Sequence, residues 1–365
     1  MTSLAKDHAF SALDGLRGVA AISIVVFHYS QNLGWELLPN AYLAVDFFFM
    51  LSGFVLDHAY EARLRSGQAV AEFMQRRLIR LYPLYWLGTT LPVALIVIAQ
   101  WRGQPHPDGA LTAASYFLGL LFLPTPMGLS VFPTRVFPLN IPAWSLSLEI
   151  GVNMTYALAG KGLSTLRLIM VALVGMLVLV GVALFYDTLS LGHSWPTYLG
   201  GWVRVIWSFF AGVLAYRIFA ARRRSALSVL SAVAIACLML ADFAYRDDGK
   251  AIGLFSALVL FPAILWFGAR VRLSGAAQRL ATWFGAVSYA LYITHEPIFD
   301  ALWFLCRVNH WDAKAEFWPN LIGWVVLALA AAWVLDLAYD LPIRAFLTRK
   351  LIRRPVDIRV SALKA

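Results

Sequence analysis

The chain is organised by long apolar stretches separated by short polar segments. Ten stretches are long enough for a membrane-spanning helix, because about 20 mostly apolar residues cross about 30 Å of hydrocarbon. They cover residues 11–30, 41–60, 81–100, 143–160, 165–186, 199–220, 227–244, 251–269, 281–306 and 318–341. The pattern predicts an all-α integral membrane protein with about ten transmembrane helices in a single domain, residues 1–365.

An eleventh apolar segment, residues 112–123, is only about a dozen residues long. It lies between prolines 105 and 107 on one side and prolines 124 and 126 on the other. This length favours a short re-entrant or interfacial piece over a span. Whether it crosses the membrane stays open, and a crossing would invert the topology of every later helix.

Composition narrows the class of protein. The chain is 61% hydrophobic and 14% charged, with a mean hydropathy of +0.70, whereas soluble domains are about 45–50% apolar and about 25% charged. A water-soluble enzyme, a disordered protein and a nucleic-acid-binding module are excluded on this ground. Cys237 and Cys306 both lie in apolar runs, which does not support a disulfide framework.

The net charge of +10 is unevenly distributed along the chain. With ten spans and an inner N-terminus, 23 of the 30 Lys and Arg residues fall on the inner side, including the run at 222–224. This bias follows the positive-inside rule and predicts that both termini are cytoplasmic. The first apolar run carries Asp14 and Arg17 and precedes no small-residue cleavage site, so we interpret it as a retained helix.

Ionisable residues inside predicted spans are costly and mark candidate sites. Arg17 and His28 are eleven residues apart, which places them on one helix face about 16 Å apart. Gly18 and Ala21 lie near that face and would leave room for a slender substrate. Counting the rise from each helix start puts four residues in the outer half of the membrane, where they could meet: His28, Asp46, Glu149 and His295.

Each of these residues also has a structural interpretation. Asp46 could pair with a neighbouring base, and His295 with Glu296 could be a packing pair. Trp144 could be an interfacial belt residue. Arg77 and Arg80, three apart before Tyr82-Pro83, are topology determinants and also have the spacing of a phosphate clamp.

Five segments resemble the acyltransferase-3 family of membrane acyltransferases, and they occur in the family's order. They are Leu13-Asp14-Gly15-Leu16-Arg17-Gly18 with His28, then Val45 to Phe54, Arg77-Leu78-Ile79-Arg80, Trp144 to Glu149, and Ser288 to His295. The resemblance spans nearly the whole chain. It implies a ten-helix, multi-pass enzyme of the bacterial inner membrane without the C-terminal esterase-like domain of some members.

The implied reaction is O-acylation. The donor is cytoplasmic acyl-CoA, usually acetyl-CoA, and the acceptor is a hydroxyl of a carbohydrate, a lipid-linked sugar or a related molecule on or near the outer face. No metal is expected. Apart from the lipid bilayer and these substrates, the sequence indicates no partner, and it gives no acceptor identity and no oligomeric state.

The resemblance and the helix geometry together assign roles to ten residues. The catalytic set is His28, Glu149 and Asp46. The donor-binding set is Arg17, Arg77 and Arg80. The acceptor-binding set is Trp144, Ser145, Tyr292 and His295. We expect Glu149 to orient His28, which acts either as a general base or as a transient acyl carrier.

Two other classes of protein compete with this interpretation. A secondary transporter of a polysaccharide precursor or an ion would also carry intramembrane charges, although no internal repeat is evident. Membrane-bound O-acyltransferases also rely on a buried histidine, but the spacing from Arg17 to His28 and the segment from Val45 to Phe54 favour acyltransferase-3.

Overall fold

The computed structural model describes residues 10–220, 227–246 and 249–352 and contains no named β-strand over those ranges. Its helices are α1 Ser11–Asn32, α2 Ala44–Arg65, α3 Val70–Trp101, α4 Gly109–Leu120, α5 Ala143–Ala159, α6 Thr165–Tyr186, α7 Tyr198–Ala220, α8 Val229–Ala244, α9 Lys250–Phe255, α10 Phe261–Gly268, α11 Gly275–Val308, α12 Phe317–Leu335 and α13 Leu341–Leu351. One π-helical turn, Ser256–Leu260, joins α9 to α10, and another, Asp336–Asp340, joins α12 to α13.

All ten predicted apolar stretches are helical, which confirms the all-α membrane class. Seven helical stretches of the described chain are long and apolar enough to cross a bilayer: Ser11–Asn32, Ala41–Arg65, Val70–Trp101, Thr165–Tyr186, Trp195–Ala220, Lys250–Gly268 and Phe317–Leu351. Of the other three, α5 and α8 have 17 and 16 residues, and α11 is long but mixed in polarity. The count of ten spans stays a prediction.

The short segment near residues 112–123 forms α4, a helix of 12 residues. Asp108 caps its N-terminus by accepting a hydrogen bond from the Leu111 amide at 2.9 Å. Its C-terminal end is held by α3, where the Tyr82 hydroxyl donates to the Leu120 carbonyl at 3.1 Å and Tyr85 donates to Gly119. The segment is therefore a short helix packed on α3.

The predicted start of the third helix is wrong by eleven residues. α3 begins at Val70 rather than 81, and Arg76, Arg77 and Arg80 lie inside it. Pro83 lies inside α3 without ending it, since neighbouring groups in membrane proteins can satisfy the backbone carbonyl that a proline leaves free. The arginines consequently lie on a helix, within its first three turns.

α1 and α11 form the most extensive helix pair of the fold. Small residues allow the close approach: Gly15 faces Ala281, Gly18 faces Phe284, and Gly285 faces Asp14. A Cβ on Gly18 would lie 2.5 Å from the Phe284 Cβ. The space that Gly18 was expected to leave for a substrate is therefore filled by α11.

α2 and α7 form a second close pair, in which Gly53 and Gly212 approach the partner's backbone. Buried ion pairs reinforce it. Arg204 donates to both carboxylate oxygens of Asp46, with the shortest distance 2.5 Å, and Arg217 donates to Asp57 at 3.1 Å. The face of α2 that carries Asp46, Gly53 and Asp57 thus binds α7.

The predicted topology charges at 222–224 and both chain termini lie outside the described residues.

Candidate active site

Arg17 is anchored on α11 near the start of α1. Its Nε donates to the Ser288 hydroxyl at 2.9 Å and its Nη2 to the Gly285 carbonyl at 2.5 Å. Asp14, one turn earlier, lies 3.4 Å from the same guanidinium. Arg17 is therefore held on α11, and Tyr289, the residue after its partner Ser288, donates to the Leu81 carbonyl of α3 next to Arg80.

A cavity of about 600 Å³ opens between α3 and α13 near this end of α1. Five arginines line it: Arg76, Arg77, Arg80, Arg344 and Arg349. We call this space the basic cavity. Its volume lies within the range of small-molecule sites, about 300–1,000 Å³, and its lining suits a polyanion.

Glu149 is bonded to Arg77, one of the arginines that line the basic cavity. Its Oε1 accepts from Arg77 Nη2 at 2.7 Å and from the Ser52 hydroxyl at 2.8 Å. The sequence-based depth count places Glu149 in the outer half near His28, whereas its hydrogen bonds join it to Arg77 and Ser52. The expectation that Glu149 contacts and orients His28 is not supported by these contacts.

His28 meets two residues of α11 at the other end of α1. Its ring stacks on that of His295 with centroids 5.4 Å apart, and its Nδ1 lies 3.6 Å from Glu296 Oε1. The Tyr29 hydroxyl donates to the His295 carbonyl at 2.8 Å and fixes the helix pair here. We call His28, His295 and Glu296 the histidine cluster.

The environment of His295 assigns its tautomer. Nδ1 lies 2.8 Å from the Tyr292 carbonyl and must donate to it, so Nε2 carries the lone pair. Nε2 is buried without a hydrogen-bond partner in the described structure and lies 3.9 Å from Glu296 Oε1. Since a buried acceptor without a partner is costly, this atom points to a ligand donor.

Two predicted acceptor residues connect directly to this cluster. The Ser145 hydroxyl lies 2.7 Å from the Tyr292 hydroxyl, and the Tyr292 carbonyl bonds His295. Trp144 has a different environment: its ring packs against the Arg204 guanidinium at 5.5 Å and against Gly192.

Asp46 contacts Arg204 and Ser208 and is fully buried. Its contacts are those of the ion pair that the sequence offered as the structural alternative. The structure does not bring Asp46 into the histidine cluster, because α7 supplies a buried guanidinium directly opposite it.

The histidine cluster also has the donor types of a two-histidine, one-carboxylate metal site. One ligand atom from each residue lies within 4.8 Å of the others. The same nitrogen and oxygen atoms would serve in acid–base chemistry. A test of the site should therefore also measure whether the protein binds a metal ion.

Several site residues were missed by the sequence-based assignment. Glu296 is the carboxylate in contact with His28, and the signal was its position beside His295. Ser52 and Ser288 hold Glu149 and Arg17. Both lie in segments that carry the family resemblance, Val45 to Phe54 and Ser288 to His295, but no role was assigned to them. Arg344 and Arg349 were interpreted only as inner-side charges.

The histidine cluster and the arginine-lined basic cavity thus lie near opposite ends of α1, within a bundle of apolar helices. The family model described as an acyltransferase domain, acyltransferase-3, matches residues 10–339, and the chain belongs to this family. The predicted resemblance is confirmed, and the chain is a membrane O-acyltransferase.

Curated relatives agree with this assignment. Protein 2 in the picA locus of Rhizobium radiobacter is 40% identical over 190 residues, 50% of this chain and 98% of that protein. The exopolysaccharide production protein ExoZ of Rhizobium meliloti (strain 1021) is 27% identical over 93% of this chain and 98% of its own. The acyltransferase MdmB of Streptomyces mycarofaciens is 32% identical over 40% of this chain and 38% of its own. No solved structure matches the chain significantly.

Proposed function

We propose that this protein transfers an acetyl group from cytoplasmic acetyl-CoA to a hydroxyl of a surface carbohydrate or its lipid-linked precursor, in the inner membrane of a bacterium. The observation that carries the proposal is the arrangement along α1. Arg17 lies at the end with the basic cavity, and His28 lies in the histidine cluster about 16 Å away on the same face. CoA has charged phosphates at one end and a thioester at the end of a long thin arm, which matches this separation in length. The arm would run beside the α1–α11 contact, since α11 fills the space at Gly18.

His28 is the proposed base. It accepts the proton of the acceptor hydroxyl as that oxygen attacks the thioester carbonyl, and the C–S bond then breaks. The proton leaves His28 for the departing CoA thiolate, so the site returns to its starting state. Glu296 stabilises the imidazolium formed in between, a role that the sequence assigned to Glu149.

His295 Nε2 and Tyr292 place the acceptor. The lone pair of His295 Nε2 has no hydrogen-bond donor, and a sugar hydroxyl can supply one. A hydroxyl-rich substrate therefore suits this position. The name of ExoZ refers to exopolysaccharide production, which supports a carbohydrate acceptor for this chain. The family assignment favours this enzyme over a transporter.

The test uses the full chain purified in detergent with acetyl-CoA and candidate glycans, following CoA release and acetylation of the glycan. His28→Asn should abolish transfer, at least about 100-fold, because general bases contribute about 10²–10⁴-fold. CoA binding should persist, since the arginines are untouched. His58→Asn is the matched control, because His58 contacts Tyr216 rather than the cluster.

Transfer by the folded His28→Asn protein would overturn the role of His28. A wild-type protein that transfers acetyl only from another donor would overturn acetyl-CoA. Activity that disappears with a chelator, together with one bound metal per chain, would replace the acid–base role by metal catalysis.

A further inference from the structure

We propose that α13 forms the second wall of the donor site, with Arg344 and Arg349 binding phosphate groups of acyl-CoA opposite the arginines of α3. This inference rests on the proposed CoA donor. It extends the donor site to residues beyond 339, where the match to the family model ends.

The cavity-facing residues of α13 form one continuous face of the helix. They recur at the helical spacing of three and four residues: Leu341, Arg344, Ala345, Thr348, Arg349 and Ile352. The π-helical turn Asp336–Asp340 directly precedes this face. Such turns shift the register of a continuous helix and are frequent at functional sites.

Three of the five arginines that line the cavity pair with carboxylates, and the other two keep an uncompensated positive charge. Arg76 pairs with Glu72, Arg77 with Glu149, and Arg344 with Asp340 at 3.0 Å. Within the described part of the chain, neither Arg80 nor Arg349 has a recorded carboxylate partner, and none of the residues lining the cavity is acidic. The cavity therefore carries a net positive charge that an anionic ligand would neutralise.

The ion pair between Arg344 and Asp340 fixes the start of α13 when no ligand is bound. Asp340 is 1% exposed and its Oδ1 has no hydrogen-bond partner in the described structure. Arg344 is a quarter exposed and faces the cavity. One guanidinium can serve both anions, because it has five donors in a planar fork.

The experiment compares three probes on the full chain in a neutral detergent: CoA, 3′-dephospho-CoA and S-acetylpantetheine, which has no phosphate. Arg344→Gln and Arg349→Gln should each weaken CoA binding by about tenfold, the loss of a charge-assisted hydrogen bond. The loss should shrink as salt is raised. S-acetylpantetheine binding should not change.

Two variants separate binding from folding. Lys350→Gln removes a neighbouring charge on the same helix that does not line the cavity, and it should leave CoA affinity unchanged. Asp340→Asn combined with Arg344→Gln removes both charges of the pair, so no buried carboxylate is left alone, and CoA binding should still be weak.

CoA affinity unchanged in the Arg344→Gln/Arg349→Gln double variant, with affinity lost in Arg80→Gln, would overturn the role of α13 and leave the CoA donor intact. An equal loss for S-acetylpantetheine would also overturn it, because that probe has no phosphate to lose. A wild-type protein that binds none of the three probes would overturn the CoA donor itself.

Discussion

Both ends of α1 pack on α11, but the charged and titratable groups at the two ends differ. At the basic cavity, guanidinium groups of α3 and α13 face an open space, and three of the five pair with carboxylates. In the histidine cluster, two imidazoles and one carboxylate pack together, and one buried nitrogen has no donor. The first end suits binding through charge, and the second suits moving a proton.

The comparison also separates two kinds of arginine–carboxylate pair. Arg204–Asp46 is closed, with both side chains at most 2% exposed, whereas Arg77 and Glu149 are 14% and 19% exposed beside the cavity. A closed pair cannot exchange its partner for a ligand without exposing a buried charge. We therefore expect mutations of the closed pair to lower stability much more than mutations of the pair beside the cavity.

The largest effect should come from Asp46→Asn. Removing one partner of a buried pair costs about 3–5 kcal/mol, because Arg204 keeps its charge. The melting temperature should fall sharply, while turnover per folded molecule stays normal. Asp187→Asn, which breaks the exposed pair with Lys250, should have little effect on melting. A stable Asp46→Asn protein without turnover would restore the catalytic role predicted from the sequence.

A smaller effect is expected for Glu296→Gln. The amide keeps the shape of the side chain but cannot offset the charge on His28, so turnover at saturating donor should fall by about tenfold or more, equivalent to about 1.4 kcal/mol of barrier. Donor affinity should not change, because the arginines lie at the other end of α1. Glu36→Gln, in the exposed loop after α1, is the control. A loss of donor affinity with normal turnover would contradict the assignment.

The smallest functional effect is expected for Glu149→Gln. Gln can still accept from Arg77 and Ser52, so turnover at saturating donor should stay within about threefold. The melting temperature should drop modestly, since hydrogen bonds to charged groups contribute about 1.5–3 kcal/mol before solvent screening. A tenfold loss of turnover without a change in melting would show that Glu149 acts on the chemistry, as the sequence suggested.

The membrane class and the helical segments could be predicted from the sequence, whereas the roles assigned to the site residues stay predictions. Apolar length and the spacing of side chains on one helix are local properties, so the shared face of Arg17 and His28 was predictable. The residues assigned to the site gather mainly at the two ends of α1. Their grouping within those ends was not predictable, because it depends on which helices are neighbours.

The amino-acid sequence by itself determined that this is a helical membrane protein with charged and titratable groups inside its apolar segments. Hydrophobic length and periodicity are local properties of the sequence. Only the tertiary structure decided the partners of those groups. Glu296 rather than Glu149 contacts His28, Arg204 pairs with Asp46, and α13 faces α3 across the basic cavity. The physical reason is that a carboxylate inside a membrane protein pairs with whichever cation the packing brings within about 4 Å, and neither helix depth nor spacing within one helix specifies that neighbour.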